Sequence, residues 1–132
     1  KANEIQPYTR PLSSMSPTVM MGEGRHAVVG TPGGSRIITM VLLAILDFLR
    51  GNEPESWVSL PRFHHQYMPD EISAEPDAFT PEQIEALKAM GHEVKVRSRT
   101  WGNMHGVMWD TETGKVTGGS DPRWPSGKAI VR

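Results

Sequence analysis

Gly33 and Gly34 stand in the stretch TPGGSRI, where a β-branched run ends and a long apolar run begins. At a strand-to-helix junction the first N–H groups of the helix lack carbonyl partners, and the helix dipole adds positive potential. A glycine pair there lets a ligand approach the backbone closely, which suits an oxyanion or a phosphate. The phosphate version has little behind it, since neither GxGxxG nor GxxxxGK(S/T) is present. The alternative is a plain tight turn with Ser35 as the helix N-cap. Ser13 and Ser14, in RPLSSMSP, set adjacent hydroxyl and amide donors on a proline-bordered loop, a sensible cradle for a carboxylate. No neighbouring residue looks like a base that would turn either serine into a nucleophile. Solvated loop serines are the plainer reading.

Other polar clusters are weaker. His64-His65 with Asp70 and Glu71 suggests a metal, but adjacent histidines on a strand point to opposite faces, so one ion does not easily take both. Packing and hydrogen-bonding roles are preferred, and no metal is expected. Lys95, Arg97 and Arg99 alternate, which on a strand gives a basic stripe, most simply a solvated one. Arg123, in SDPRWPSG, has Asp121 beside it and is expected to form a structural ion pair closing the C-terminus.

These residues need a scaffold. Residues 1–17, with three prolines and no apolar periodicity, read as a loop. Thr18 to Met21 and His26 to Thr31 flank Gly22-Glu23-Gly24 as a β-hairpin whose second strand runs into the glycine pair. Arg36 to about Leu49 is apolar on nearly every side, a helix buried on several faces, with Arg50-Gly51 as its stop. A short helix is expected over 54–60 and a strand over Arg62 to Met68. Thr80-Pro81-Glu82-Gln83 reads as a capping box with proline at the first helical position, Phe79 placed to staple onto Ile84, and Ile84, Leu87 and Met90 on one face. Short strands follow at Glu93 to Val96, Gly106 to Asp110 and Val116. The order of hairpin, helices and further strands fits an α/β (α+β) layered domain. The apolar helix wants more cover than these elements offer.

The chain has 132 residues, the size of one domain, and its net charge of −1 gives no field to attract nucleic acid or an acidic membrane. Ile37 to Leu49 is too short to span a bilayer, which takes about 20 apolar residues. The absence of cysteine rules out disulfides and thiolate metal sites without fixing a compartment. The start at Lys1-Ala2-Asn3 reads as a portion of a longer, processed or cleaved protein.

Taken in order, RPLSSMSPT, a hairpin, GTPGGSRIITMVL, LPRFHHQYMPDE, FTPEQIEALKAMGHEV and GGSDPRWPSGKA resemble the C-terminal part of the small subunit of gamma-glutamyltransferases (gamma-glutamyltranspeptidases), almost end to end over 1–132. That resemblance implies part of an αββα sandwich of the N-terminal nucleophile hydrolase type. It implies a self-cleaving precursor whose freed N-terminal threonine attacks a gamma-glutamyl amide such as glutathione, forming an acyl-enzyme released to water or an amine. By resemblance, Ser13 and Ser14 hold the glutamyl α-carboxylate, and Gly33 and Gly34 present backbone N–H groups to the oxyanion. The implied partners are the large subunit and the N-terminal part of the small subunit. No cofactor and no nucleic acid are implied, and the compartment implied is periplasmic or extracellular. No residue matches the nucleophile, since Thr9, Thr18 and Thr31 are internal, so the isolated chain is expected to be inactive. The alternatives are a related acylase or capsule-type transpeptidase with another acyl group, or a non-catalytic binding or scaffold domain.

Overall fold

In the computed structural model the described residues are 4–125 and 127–131. Lys1 to Asn3 of the loop expected over 1–17, and Ser126 of the closing segment, lie outside them. The elements run β1 (Thr18–Gly22), β2 (Arg25–Gly30), a 3₁₀ turn (Gly34–Arg36), α1 (Ile37–Leu49), α2 (Pro54–Ser59), β3 (Phe63–His64), β4 (Ile72–Ala74), α3 (Pro81–Ala89), β5 (Val94–Val96), β6 (His105–Asp110) and β7 (Val116–Ser120).

The larger sheet has the order β1-β2-β6-β7 and is antiparallel throughout. Strand alternation sends Met20, Ala27, Val29 and Met108 to one face, where they meet α1 and α2. In α1, Ile37, Met40, Val41, Ala44 and Phe48 recur at helical spacing and form the buried stripe. Buried Asp47 ties the two helices together: its carboxylate accepts from Asn52 Nδ2 at 2.7 Å and from Ser56 Oγ at 2.6 Å. Trp57 of α2 packs edge-on against Phe48, with ring centroids 5.7 Å apart. The other face of the sheet presents Val19, Met21, Val28, Val107 and Trp109 to solvent, and α1 likewise exposes Ile38, Leu42 and Leu49. Burial of α1 on several sides is thus not what these residues achieve. One apolar stripe is covered and the opposite one is bare.

A smaller sheet, β3-β4-β5, pairs β3 with β4 antiparallel and β4 with β5 parallel. The strand expected over Arg62 to Met68 shrinks to Phe63–His64. Tyr67, at φ 73°, turns the chain away from the ladder. The capping box of α3 forms as expected: Gln83 N–H donates to Thr80 Oγ1 at 3.3 Å, and Thr80 N–H to Gln83 Oε1 at 2.8 Å. Ile84 and Leu87 are half-buried, whereas Met90 is exposed. Phe79 packs on Phe63, with ring centroids 5.0 Å apart.

Candidate functional site

Between β2 and α1 the chain bends through Pro32, Gly33 and Gly34. Gly33 has φ 153° and Gly34 φ 59°, the latter in the left-handed region that β-carbon sterics close to most residues. A β-carbon on Gly33 would lie 2.5 Å from Met40 Cε, whereas one on Gly34 would meet open space. Glycine is therefore needed for backbone conformation at both positions, and at Gly33 a side chain would in addition have to displace the flexible end of Met40. Arg36 N–H donates to Gly33 O at 3.3 Å, and Ile37 N–H donates to Gly34 O, so the carbonyls of the pair serve the turn. Among the described residues no hydrogen bond takes the N–H of Gly33 or of Gly34. Ser35 is not the N-cap that the tight-turn reading expected. Neither the 3₁₀ turn nor α1 has a side-chain cap, and the Ser35 hydroxyl instead donates to Gln66 Oε1 at 2.6 Å.

Gln66 belongs to the segment after β3, and its contacts continue inward. Its Oε1 lies 2.9 Å from Nε2 of buried His64, whose Nδ1 lies 2.9 Å from Thr39 Oγ1 in the first turn of α1. His65 points the other way and meets Asp70 at 3.0 Å, in keeping with the opposite-face reading of the histidine pair. Gly33, Gly34, Ser35, Gln66, Glu71 and Arg97 are among the residues lining a polar cleft of about 380 Å³.

The basic stripe requires a correction. Lys95 Nζ sits 2.5 Å from Glu71 Oε2, and Arg97 pairs with Glu71 Oε1, so two of the three cations neutralise one nearly buried carboxylate. The hydrogen bond from Lys95 holds the Glu71 carboxyl below its ordinary value, and the same contact raises Lys95. Arg99 is exposed.

Behind the glycine turn lies a larger buried network than the single ion pair expected at Asp121 and Arg123. Arg62 Nη2 meets Asp121 Oδ2 at 2.6 Å, and Arg123 bridges Asp121 Oδ1 at 3.1 Å and Glu75 Oε2 at 2.5 Å. Burial disfavours the Asp121 carboxylate, but the N–H groups of Met104 and Arg123 and the Arg62 guanidinium outweigh it and keep the group below its ordinary value. Arg62 also donates to the carbonyls of Val58 and Trp101, and Glu75 Oε1 accepts the Trp101 N–H at 2.9 Å. The loop fixed in this way walls the turn. Arg36 lies over the Trp101 ring at 4.6 Å, and Asn103 N–H donates to Thr31 Oγ1 at 3.3 Å.

Ser13 is exposed and Ser14 half-buried; Ser13 Oγ accepts the Met15 N–H at 3.3 Å, and Ser14 O accepts from Ser16 Oγ at 3.2 Å. Among the described residues no hydrogen bond joins these serines to the glycine turn. Their relation comes from the hairpin: Thr18 pairs with Val29, so the loop entering β1 and the turn leaving β2 stand at the same end of the sheet. Sequence reasoning missed Gln66 and Glu75, and weighed Glu71 only as part of a metal cluster. Apart from the local contacts of Gln66 and the bond from Ser73 to Glu71, their side-chain partners lie more than ten residues away, and no spacing signal marks such pairs.

Comparison with known proteins adds the following. A family model described as gamma-glutamyltranspeptidase matches residues 1–131. The glutathione hydrolase proenzyme of Escherichia coli (strain K12) is 40% identical over 124 residues, covering 92% of this chain and 21% of that protein. The chain thus spans roughly a fifth of the length of the bacterial glutathione hydrolase proenzymes it matches, 21% and 22% in two of them. Among solved structures, a mutant Helicobacter pylori gamma-glutamyltranspeptidase aligns with a TM-score of 0.82 at 36% identity, covering 93% of this chain and 68% of that one. The Bacillus anthracis transpeptidase enzyme CapD shares the fold, with a TM-score of 0.81 at 23% identity over 98% of this chain and 78% of its own.

Proposed function

The chain belongs to the gamma-glutamyltranspeptidase family, and from that premise we propose that it is the C-terminal portion of the small subunit of an enzyme that hydrolyses or transfers gamma-glutamyl groups. Its fold is the α/β arrangement found in solved members of the family. In this reading the rest of the precursor supplies an N-terminal threonine, whose hydroxyl adds to the gamma-glutamyl carbonyl. Negative charge then develops on the carbonyl oxygen, and the Gly33 and Gly34 N–H groups donate to it. Collapse expels the amine and leaves an acyl-enzyme, which water or an acceptor amine cleaves. Ser13 and Ser14 bind the α-carboxylate of the glutamyl group, remote from the reacting carbon.

The observation that carries this reading is the uncommitted pair of N–H groups at Gly33 and Gly34. Donors already fixed where charge will appear need no reorganisation during reaction, and one of them contributes about 3 kcal/mol to such a step. The test replaces the Gly34 peptide N–H by an ester oxygen in the complete, assembled enzyme, which removes the donor and keeps the shape. The expected result is a kcat lower by about 10²-fold or more with little change in substrate binding. A folded ester variant with wild-type kcat would return the glycine pair to a turn and nothing more.

A further inference from the structure

Gly34 has a left-handed backbone, no side chain and no hydrogen bond on its N–H, so its donor is held through the turn's carbonyl bonds, Gly33 O with Arg36 N–H and Gly34 O with Ile37 N–H. A further restraint comes from the next residue. Ser35 Oγ donates to Gln66 Oε1 at 2.6 Å across a separation of 31 residues. Gln66 Nε2 donates to Met68 O at 2.8 Å, and that bond fixes which end of the amide is oxygen, because the reversed amide would set oxygen against oxygen. With Oε1 so placed, the ring nitrogen 2.9 Å away, His64 Nε2, must be a donor. His64 Nδ1 reaches Thr39 Oγ1, which lies 3.1 Å from Arg36 O, and the circuit returns to the glycine turn.

We infer that Gln66 is a positioning residue for the oxyanion donors: its amide oxygen gathers Ser35 and His64, anchors the turn at Ser35, and thereby helps to hold the adjoining Gly33-Gly34 peptide, which carries the Gly34 N–H, in the orientation the reaction uses. The inference rests on the reading of Gly33 and Gly34 as oxyanion donors. Rotation of this peptide would swing the neighbouring N–H groups off the developing charge, and a misplacement of about 1 Å can cost about 10²-fold in rate. Ser35 and Gln66 are both exposed, so replacing either leaves the core intact. Neither need touch substrate.

The experiment uses the complete processed enzyme and a gamma-glutamyl anilide. Wild-type turnover is measured first, and its absence would overturn the functional reading itself. Gln66→Met keeps side-chain length and removes the acceptor, and Ser35→Ala removes the hydroxyl that donates to it. The expected result for Gln66→Met is a kcat lower by about 10-fold or more with KM within about twofold, because the loss is felt only as charge develops. Ser35→Ala should show the same fall in kcat with little change in KM, and combined with Gln66→Met it should be no slower than the worse single variant, as members of one network behave. With active wild type, this inference alone is overturned by either of two results: wild-type kcat in Gln66→Met, or full additivity with Ser35→Ala. A shift in thermal midpoint without loss of kcat would likewise count against it, since that is the mark of a purely structural bond.

Discussion

Val28 lies on the second strand of the four-stranded sheet and points away from the helices, with 48% of its surface exposed, while the next residue, Val29, is 1% exposed in the core. Its neighbours on the same face include Val107 at 42% and Trp109 at 49%. If this face is where a second sheet packs in the longer protein, Val28→Lys will have two very different costs. In the 132-residue chain the new ammonium stays in water, and the change should stay within about 0.5 kcal/mol. In the complete protein it would sit unpaired between layers, at a cost of about 3 kcal/mol or more. The lost burial of half a valine side chain adds about 1 kcal/mol. The sum of about 4 kcal/mol corresponds to roughly a 10³-fold shift from assembled to unassembled protein. Urea unfolding of the short chain and the yield of processed, assembled full-length protein measure the two costs, with Val29→Lys as a control that should ruin both. An unchanged yield of assembled Val28→Lys protein would refute the reasoning, as would damage to the short chain as severe as that caused by Val29→Lys.

In the complete enzyme, the Ser13→Ala, Ser14→Ala double variant should raise KM and leave kcat nearly unchanged, because a remote carboxylate is held alike in ground and transition states; steady-state kinetics with an unchanged kcat/KM would count against that role. The Glu71 pair gives a pH signature. Its carboxyl lies below the ordinary 4.5, so its stabilising contribution is fully present above about that pH and fades as pH falls through the lowered folded value. Lys95, raised above 10.5, loses its share only as pH climbs through that higher value. Thermal midpoints of wild type and Lys95→Met should therefore differ near neutrality and converge in acid, and a difference that persists at pH 2 would contradict the assignment.

What the sequence revealed was what short-range chemistry encodes. Thr80 and Gln83 stand three apart and form their reciprocal caps with no help from the rest of the chain, so the start of α3 was legible. The hairpin was legible because Gly22 and Gly24 bracket a turn between two β-branched runs. Ile72–Ala74 was not, since all three residues are buried and a strand that short shows no alternation. Arg62 looked like the start of a strand, yet its fate is set by Asp121, 59 positions on. Glu71 gathers Lys95 and Arg97 through a parallel pairing of β4 with β5 that no local pattern announces. The glycine pair was visible as a site. Gln66, which reaches it from another element, was not.

The hairpin register also acts as a ruler. Thr18 opposite Val29 fixes how far the serine loop stands from the glycine turn, and each residue of strand measures about 3.3 Å. A residue inserted within β1 would move Ser13 and Ser14 by about that step and turn the preceding side chains to the other face. A residue inserted at Glu23, at the far end of the hairpin, changes neither distance nor face. Length variation among natural relatives should therefore gather at the 22–24 turn and avoid the strands, since only there can the chain grow without changing the span between the two proposed substrate contacts.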